Sequence, residues 1–362
     1  MQVRAAVAFS PNRPLEVVTL ELGAPGDGEV LVQMKATGLC HSDLSMLEGK
    51  VAGFGGFPTV LGHEGAGVVI KCGSGVTSLK PGDHVIPVAV PECRQCCNCT
   101  SGKTNLCAEL FEPPGSRFSY QGQPIESFMG LGTFAEYSVI GENKLAKIRT
   151  DVPLDVVCYI GCGVLTGVGS VLQTAKVTPG SSVAVFGLGG IGLNVFQGAK
   201  IAGATQIIAI DINPDREVVA RNFGATEFIN PKNVQDIVAD IQTLTKGGVD
   251  FSFECIGNTA LIRTAVDCTN PGWGVTVSVG VPASGSEVSF NPMEMMVGRT
   301  WKGALLGGEK PRTVVPKLVD WYANGFLRVD ELITHRVALE DINRGFDMMK
   351  SGEAIRTVVV YS

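Results

Sequence analysis

Hydrophobic and polar positions follow two different rhythms along this chain. Over the first 150 residues, short apolar β-like runs at 30–35 and 65–71 alternate with turn residues, and a strand-turn stretch at 76–87 carries Pro81-Gly82-Asp83 as its turn. This predicts an irregular antiparallel barrel. Beyond about residue 165 the rhythm changes: an apolar strand at 182–186 leads through a Gly-rich turn into a helical stretch at 193–202 that ends at Gly203. A strand at 206–210 ends at Asp211, a helix at 215–223 is followed by Gly224, and further strand-like runs lie at 249–254 and 274–280. Strand alternating with helix at this spacing predicts parallel βαβ units in a doubly wound sheet. From about residue 300 the first pattern returns, with helical stretches at 314–324 and 339–350, a short run at 332–336 and a terminal strand at 355–361. The expectation is one domain, 1–164 and 301–362, interrupted by another at 165–300.

Length agrees, because 362 residues exceed what a single core usually organises. Apolar residues make up 45% and charged ones 18%, with 46 Gly and 19 Pro, which excludes a disordered tail or a coiled coil. A formal charge of -6 without a long Lys/Arg run argues against nucleic-acid or anionic-membrane partners. No segment has the apolar length of a membrane span, and the start shows no secretory pattern, so a cytoplasmic enzyme is expected. Eleven cysteines then stand out. In a reducing compartment, clustered thiols hold metal or do chemistry.

Cys93-Arg-Gln-Cys96-Cys97-Asn-Cys99, with Cys107 eight positions on, places four regularly spaced thiols and one extra in a fifteen-residue loop. Four thiolates at tetrahedral reach are what a closed structural zinc site requires, in a lobe at about 91–108. A reducible disulfide loop is the alternative. Cys97 falls outside the C-x-x-C-x-x-C rhythm and is expected to point away.

A second constellation is spread along the chain. Gly38-Leu-Cys40-His41-Ser42-Asp43 and Gly62-His63-Glu64-Gly65 offer ligands flanked by carboxylates, and Gly161-Cys162-Gly163 adds a thiol near the domain junction. Singly, each is as readily a core residue. Combined, two thiolates and an imidazole make a Cys₂His set with an open fourth position, where an alcohol would lose its proton near neutral pH. Asp43 is expected to hydrogen-bond the His63 ring and Glu64 to face the metal from behind; for each, a solvated carboxylate or a helix cap is the alternative. Ser42 is the candidate acceptor of the substrate proton, or else a cap.

Gly187-Leu-Gly189-Gly190-Ile191-Gly192 is a GxGxxG between a predicted strand and a predicted helix, suited to a tight turn and close approach of backbone to a pyrophosphate. Asp211 ends the next strand, nineteen residues after Gly192, where a carboxylate takes the adenosine ribose hydroxyls and repels a 2′-phosphate. NAD is therefore expected over NADP. Arg216 would oppose this if it paired with a phosphate; a ribose contact or a solvated helix position are its other readings.

Together these residues resemble the zinc-dependent alcohol dehydrogenases of the medium-chain dehydrogenase/reductase superfamily, over essentially the whole chain. The matching motifs are Gly62-His63-Glu64, the Cys93/Cys96/Cys99/Cys107 lobe, Cys162-Gly-Val-Leu-Thr166-Gly, the stretch from Val185 to Gly192, Asp211-Ile-Asn-Pro, Trp301-Lys-Gly and Ile355-Arg356-Thr357. Ser101-Gly-Lys-Thr-Asn-Leu-Cys107 and the tail look most similar to the class III type, the glutathione-dependent formaldehyde dehydrogenases. The resemblance implies an α/β chain in which a GroES-like β-rich catalytic domain is interrupted by a Rossmann sheet. It further implies NAD and two zinc ions per chain, the catalytic one at Cys40, His63 and Cys162. Thr166 and Val281 would contact the nicotinamide side, and His41 and Arg356 the pyrophosphate. Phe128, Met129 and Leu305 would wall the substrate pocket, although the residues alone fit ordinary core equally. The segment 109–130 resembles the dimeric classes, so a homodimer is expected.

Two departures matter. Ser45 stands where members with a full proton relay carry a histidine three positions after the relay hydroxyl, so the route from Ser42 is truncated or runs through water. Glutathione-using members carry acidic residues in the loop after Gly49, whereas 50–57 here holds none; Arg117 resembles their carboxylate-binding arginine. The reading is an NAD-linked oxidation of a primary medium-chain, allylic or aromatic alcohol to its aldehyde. Its rivals are a thiol-adduct formaldehyde dehydrogenase such as one for S-(hydroxymethyl)glutathione, and a non-catalytic zinc- and nucleotide-binding protein.

Overall fold

A computed structural model describes residues 1–51, 55–112 and 115–362. The chain divides into two compact units, Met1–Cys162 with Lys310–Ser362, and Gly163–Glu309. The second stretch of the first unit therefore begins at Lys310 rather than at 301. The strand Thr300–Gly303 pairs in parallel with Val275–Ser278, and the turn Leu305–Gly308 is fastened by Thr174 Oγ1 donating to Gly307 O at 2.9 Å. Both keep 301–309 with the nucleotide-type unit.

In the first unit, Gln2–Ala8, Glu16–Leu22, Phe118–Tyr120, Gln123–Ser127 and Thr59–Val60 close a small barrel. It is not wholly antiparallel, because Thr59–Val60 runs parallel to Gln123–Ser127. The expected single barrel proves to be this barrel plus a seven-stranded sheet. In that sheet Glu29–Gly38 lies between Glu64–Cys72 and the C-terminal Arg356–Val360. The stretch expected as strand and turn at 76–87 is strand only over His84–Pro87. Backbone donors ahead of it go to side chains instead: Glu142 Oε1 accepts from Thr77 N at 3.0 Å and Ser78 N at 2.6 Å, and Asp83 Oδ2 accepts from Lys80 N at 3.0 Å.

The second unit has six strands in the spatial order Glu227–Ile229, Gln206–Ile210, Ser182–Phe186, Phe251–Glu254, Val275–Ser278 and Thr300–Gly303. Every pairing is parallel. The central strands SVAVF and QIIAI are almost continuously apolar because helices can cover both faces of such a sheet. The helix expected at 193–202 is Gly190–Ile201, its first turn drawn from the Gly-rich stretch itself. Two helices that the periodicity left unassigned, Ile237–Thr245 and Thr259–Asp267, start at Asp236 and Asn258, whose side chains accept from the first amides.

The core of the first unit reaches the segment that carries His63. Phe134 is fully buried and meets Phe346 edge-on, with ring centroids 6.0 Å apart. Its amide donates to Leu61 O and its carbonyl accepts from Ala6 N. Phe134→Ala should cost about 3–5 kcal/mol of stability. In a double-mutant cycle with Phe346→Ala, read by denaturant unfolding of this unit, about 1 kcal/mol of coupling is expected; fully additive losses would show that the ring pair is incidental.

Candidate active site and metal centres

Cys40 is the N-cap of the short helix His41–Leu47, so its side chain sits where the chain leaves the sheet strand Glu29–Gly38. Three residues on, Asp43 is fully buried. Its carboxylate accepts from Cys40 N at 3.3 Å and Gly62 N at 3.0 Å, and pairs with His63 Nδ1 at 3.0 Å. Gly62 is required for this. It has φ +91°, and a Cβ there would come within 2.4 Å of the Phe134 ring. With Nδ1 held, His63 Nε2 turns to Cys162 Sγ at 3.4 Å. The ligand atoms of Cys40, His63, Glu64 and Cys162 all lie within 4.8 Å of one another, and all four residues are buried.

Glu64 was expected behind the metal, and its carboxylate belongs to the four-donor cluster. Both its oxygens accept from Arg356 at 3.1 Å, and Arg356 also donates to Leu39 O at 3.3 Å. The guanidinium lies 5.2 Å over the ring of Tyr159, whose hydroxyl donates to Val329 O. Gly38 leaves room for this pair, since a Cβ there would sit 2.4 Å from the Glu64 carboxylate. Arg356 is thus buried against Glu64, while its Nε is buried without a hydrogen-bond partner. Tyr159 and the Leu39 carbonyl were missed by the sequence reading. A tyrosine between Cys158 and Cys162 looks like any core aromatic until residue 356 arrives beside it.

Charge in this pocket is unbalanced in a way that suits a cation. Burial pushes Asp43 up, and burial lifts Glu64 to about 8 although Arg356 pulls it down. The bond from Cys162 holds Cys40 well below the usual thiol range and raises Cys162 in turn. Burial opposes charge on His63, yet Asp43 and Cys40 lift it well above its ordinary value. Two thiols, one imidazole and two carboxylates against a single guanidinium fit a divalent ion. The 3.4 Å from Cys162 Sγ to His63 Nε2 is close to the roughly 3.6 Å edge of a tetrahedral zinc site with one S and one N ligand.

Cys93, Cys96, Cys99 and Cys107 also gather within 4.8 Å. Cys93 and Cys99 sulfurs are 3.9 Å apart and those of Cys96 and Cys107 3.8 Å, near the roughly 3.8 Å edge of a tetrahedron of zinc-bound sulfurs. Amides of Ala108 and Cys99 donate to Cys96 Sγ and bring that thiol down to about 6, whereas burial pushes Cys107 up to about 12. Cys97 is exposed and outside the cluster. All eleven cysteines are free thiols. A clasp that nothing local in the sequence signals holds the lobe. Lys310 Nζ donates to Cys99 O, Arg312 donates to Glu92 O at 3.0 Å, and the Glu92 carboxylate accepts from Thr313 N at 3.0 Å and Thr313 Oγ1 at 2.7 Å.

The remaining candidates fall in both units. In the first, Ser42 and His41 occupy the opening turn of the helix after Cys40, Ser42 half-buried and His41 with part of its surface exposed. Phe128 is buried with its ring edge-on to His63, centroids 5.7 Å apart, and Met129 follows in a left-handed conformation. Arg117 donates to Glu29 at 2.9 Å. Of the loop at 50–57, residues 52–54 lie outside the described residues, as do 113–114 of the segment 109–130. In the second unit, Gly187 (φ +91°) and Gly189 open the helix that Gly190, Ile191 and Gly192 begin. A Cβ on Gly192 would lie 1.9 Å from Gly187 O. Asp211 grips this turn, its carboxylate accepting from Leu188 N and Asn213 N at 2.8 Å each. Arg216 starts the next helix, Thr166 is buried, and Val281 and Leu305 are exposed.

Residues 26–150 match the alcohol dehydrogenase GroES-like domain and 190–324 the zinc-binding dehydrogenase domain. The chain is 51% identical over 376 aligned residues to S-(hydroxymethyl)glutathione dehydrogenase of Paracoccus denitrificans, and 49% over 377 to alcohol dehydrogenase class-3 of Cereibacter sphaeroides, with all of each chain covered. The crystal structure of benzyl alcohol dehydrogenase from Acinetobacter calcoaceticus is similar at 33% identity and a TM-score of 0.92, again over the whole of both chains. Identity at this level along its entire length means that the chain belongs to the zinc-dependent alcohol dehydrogenases of the medium-chain dehydrogenase/reductase superfamily, NAD-linked oxidoreductases, nearest to the class III type.

Proposed function

We propose that this dehydrogenase oxidises a primary medium-chain, allylic or aromatic alcohol to its aldehyde, reversibly, with NAD. The observation that carries the substrate class is the buried ring of Phe128 standing edge-on to His63, which puts apolar surface beside the Cys40, His63 and Cys162 donors. Cys40, His63 and Cys162 would hold a zinc ion, which would supply a Lewis acid to lower the pKa of a substrate hydroxyl, and bound NAD would supply the hydride acceptor. Asp43 fixes the His63 tautomer with Nε2 toward the metal position, and Ser42 takes the hydroxyl proton. With Ser45 where a relay histidine would stand, the route onward from Ser42 is truncated or runs through water. His41 and Arg356 contact the pyrophosphate; the unpartnered Nε of Arg356 supports its part in this. Met129 and Phe128 are proposed for the wall of the pocket, with Leu305 as a further wall residue and Thr166 and Val281 for the nicotinamide side. Ile212 and Ile256, exposed apolar side chains just past Gln206–Ile210 and Phe251–Glu254, suit the two faces of the adenine, where the strand order reverses.

A second reading has its own support in the relatives named S-(hydroxymethyl)glutathione dehydrogenase, under which the substrate is a thiol adduct of formaldehyde. Against it, Arg117 is already paired with Glu29 rather than left to bind a substrate carboxylate. A panel read as NADH formation, with Cys162→Ala as blank, separates the two. Cinnamyl alcohol or octanol should exceed S-(hydroxymethyl)glutathione in kcat/KM by at least about tenfold, and the reverse order would establish the thiol-adduct reading.

Asp211 is proposed to select NAD through its charge at the ribose position, with Arg216, the first residue of the following helix, as a candidate cofactor contact. Asp211→Gly should raise the NADP-to-NAD ratio of kcat/KM by about tenfold or more. It should weaken NAD as well, because the Leu188 amide loses its acceptor. An unchanged ratio would overturn the assignment.

We further propose a cytoplasmic homodimer. The gathering of the thiols at metal-ligand spacing rather than in disulfides supports the compartment. All four residues of the edge strand Thr300–Gly303 are exposed, which supports edge-to-edge pairing with a second copy. Sedimentation equilibrium should return twice the 38.0 kDa chain mass; a tetramer or a monomer would contradict it.

A further inference from the structure

One ammonium group ties the metal-binding lobe to the pocket wall, and the function proposed above gives it no task. Lys144 closes the 3-10 turn Glu142–Lys144, between the strands Tyr137–Gly141 and Leu145–Ile148. Its Nζ reaches the carbonyl of Met129 at 2.8 Å. Met129 is strained: φ 54° and ψ 18° put a non-glycine residue in the left-handed region, with Gly130 (φ 67°) and Gly132 (φ 53°) continuing the bend. Phe128, immediately before it, is the ring that abuts His63. The charged donor on the Met129 carbonyl, together with the Leu131 amide that donates to Phe128 O at 3.0 Å, holds this peptide in its unfavourable conformation.

The other side of the turn faces the lobe. Asn143 Nδ2 donates to Glu109 Oε2, two residues beyond the ligand Cys107. Asn143 O accepts from Glu92 N at 2.8 Å and Lys144 O from Val88 N at 2.9 Å, so both carbonyls are held by the irregular segment that runs from the strand His84–Pro87 into the lobe. Lys144 is half-buried; burial lowers the pKa of its ammonium, and the carboxylate of Glu109 on the lobe side opposes that shift. Its position is therefore fixed on one side by the lobe and on the other by the wall.

We propose that Lys144 is a positioning residue for substrate-size selectivity, holding the Phe128–Met129 bend against the His63 ring and bracing that wall on the tetrathiolate lobe. The inference rests on the reading of Phe128 and Met129 as pocket wall. Lys144→Met removes the charge and the donor while keeping most of the bulk. Without its anchor the bend relaxes, and a large alcohol loses the surface that orients it, whereas ethanol never filled it.

The test compares kcat and KM for cinnamyl alcohol and ethanol in the zinc-loaded enzyme. In Lys144→Met, kcat/KM for cinnamyl alcohol should fall about tenfold through KM, with ethanol within about twofold of wild type, as expected for lost uniform binding. Lys144→Arg, which can still donate to the carbonyl, should recover most of the loss. Zinc content should stay unchanged in both. Phe128→Ala and Met129→Ala serve as wall controls. If they shift the cinnamyl-to-ethanol ratio and Lys144→Met does not, the role of Lys144 is overturned and the wall stands. If none of the three shifts it, wall and positioning role fall together. Should Lys144→Met not fold, the comparison is made in Met129→Gly, where glycine adopts the bend without strain. There, removing Lys144 should change the ratio by less than about twofold; a full tenfold loss would show that Lys144 acts by some route other than the bend.

Discussion

The buried carboxylate of Asp43 is the constraint around which the catalytic pocket is built. Placing an ion of this kind away from water costs several kcal/mol unless donors surround it. Here they come from three places: the Cys40 amide at the start of its own helix, the Gly62 amide and the His63 ring. Satisfying Asp43 therefore brings residue 40 to residue 63 and fixes which imidazole nitrogen faces Cys162. Gly62 follows from the same need. No residue with a Cβ could turn its amide inward at φ +91° while Phe134 passes behind it. The ring of Phe134 then belongs both to the core and to the support of a metal ligand.

A second buried charge explains why the first unit is discontinuous in sequence. Glu64 follows His63 into the sheet and has no local cation; its partner arrives with the last strand, where Val358 pairs with Gly38 and brings Arg356 to Leu39 and Tyr159. The C-terminal strand is thus an inner strand of the seven-stranded sheet, and the nucleotide-type unit is an insertion between the residues that make the pocket and the strand that completes its charge balance.

What could be read from the sequence tracks how local each signal is. The tetrathiolate lobe declares itself because its ligands fall within fifteen residues at spacings that a tetrahedral ion imposes. The Gly-rich turn is legible because a strand, three glycines and a helix stand in fixed order, and the apolar runs at 182–186 and 206–210 match strands residue for residue. Cys40, His63 and Cys162 are legible only jointly. By contrast, the strand expected before His84 dissolves because Glu142, 64 and 65 residues away, takes the amides a strand would have used. The boundary expected near 300 moves to 309 because Thr300–Gly303 finds its partner in Val275–Ser278, a pairing that no periodicity encodes. Tyr159 is silent for the same reason: its task exists only once residues 329 and 356 are beside it.

The two thiol clusters answer one problem, the gathering of mutually repelling thiolates, by different means. In the pocket the ligands are buried, and the bond between Cys40 and Cys162, working with burial, separates their ionisation, lowering one thiol and raising the other. In the lobe three of the four ligands are only partly buried, so backbone amides on Cys93 and Cys96 sulfurs do the stabilising and water does the rest. A loop so poor in apolar contacts needs an anchor besides its metal, and it takes one from the far end of the chain. Lys310, Arg312 and Thr313 bind Cys99 O, Glu92 O and the Glu92 carboxylate where the chain re-enters the first unit. The lobe consequently fastens the point at which the catalytic unit resumes, which gives a cluster remote from the reacting atoms a structural reason to be there.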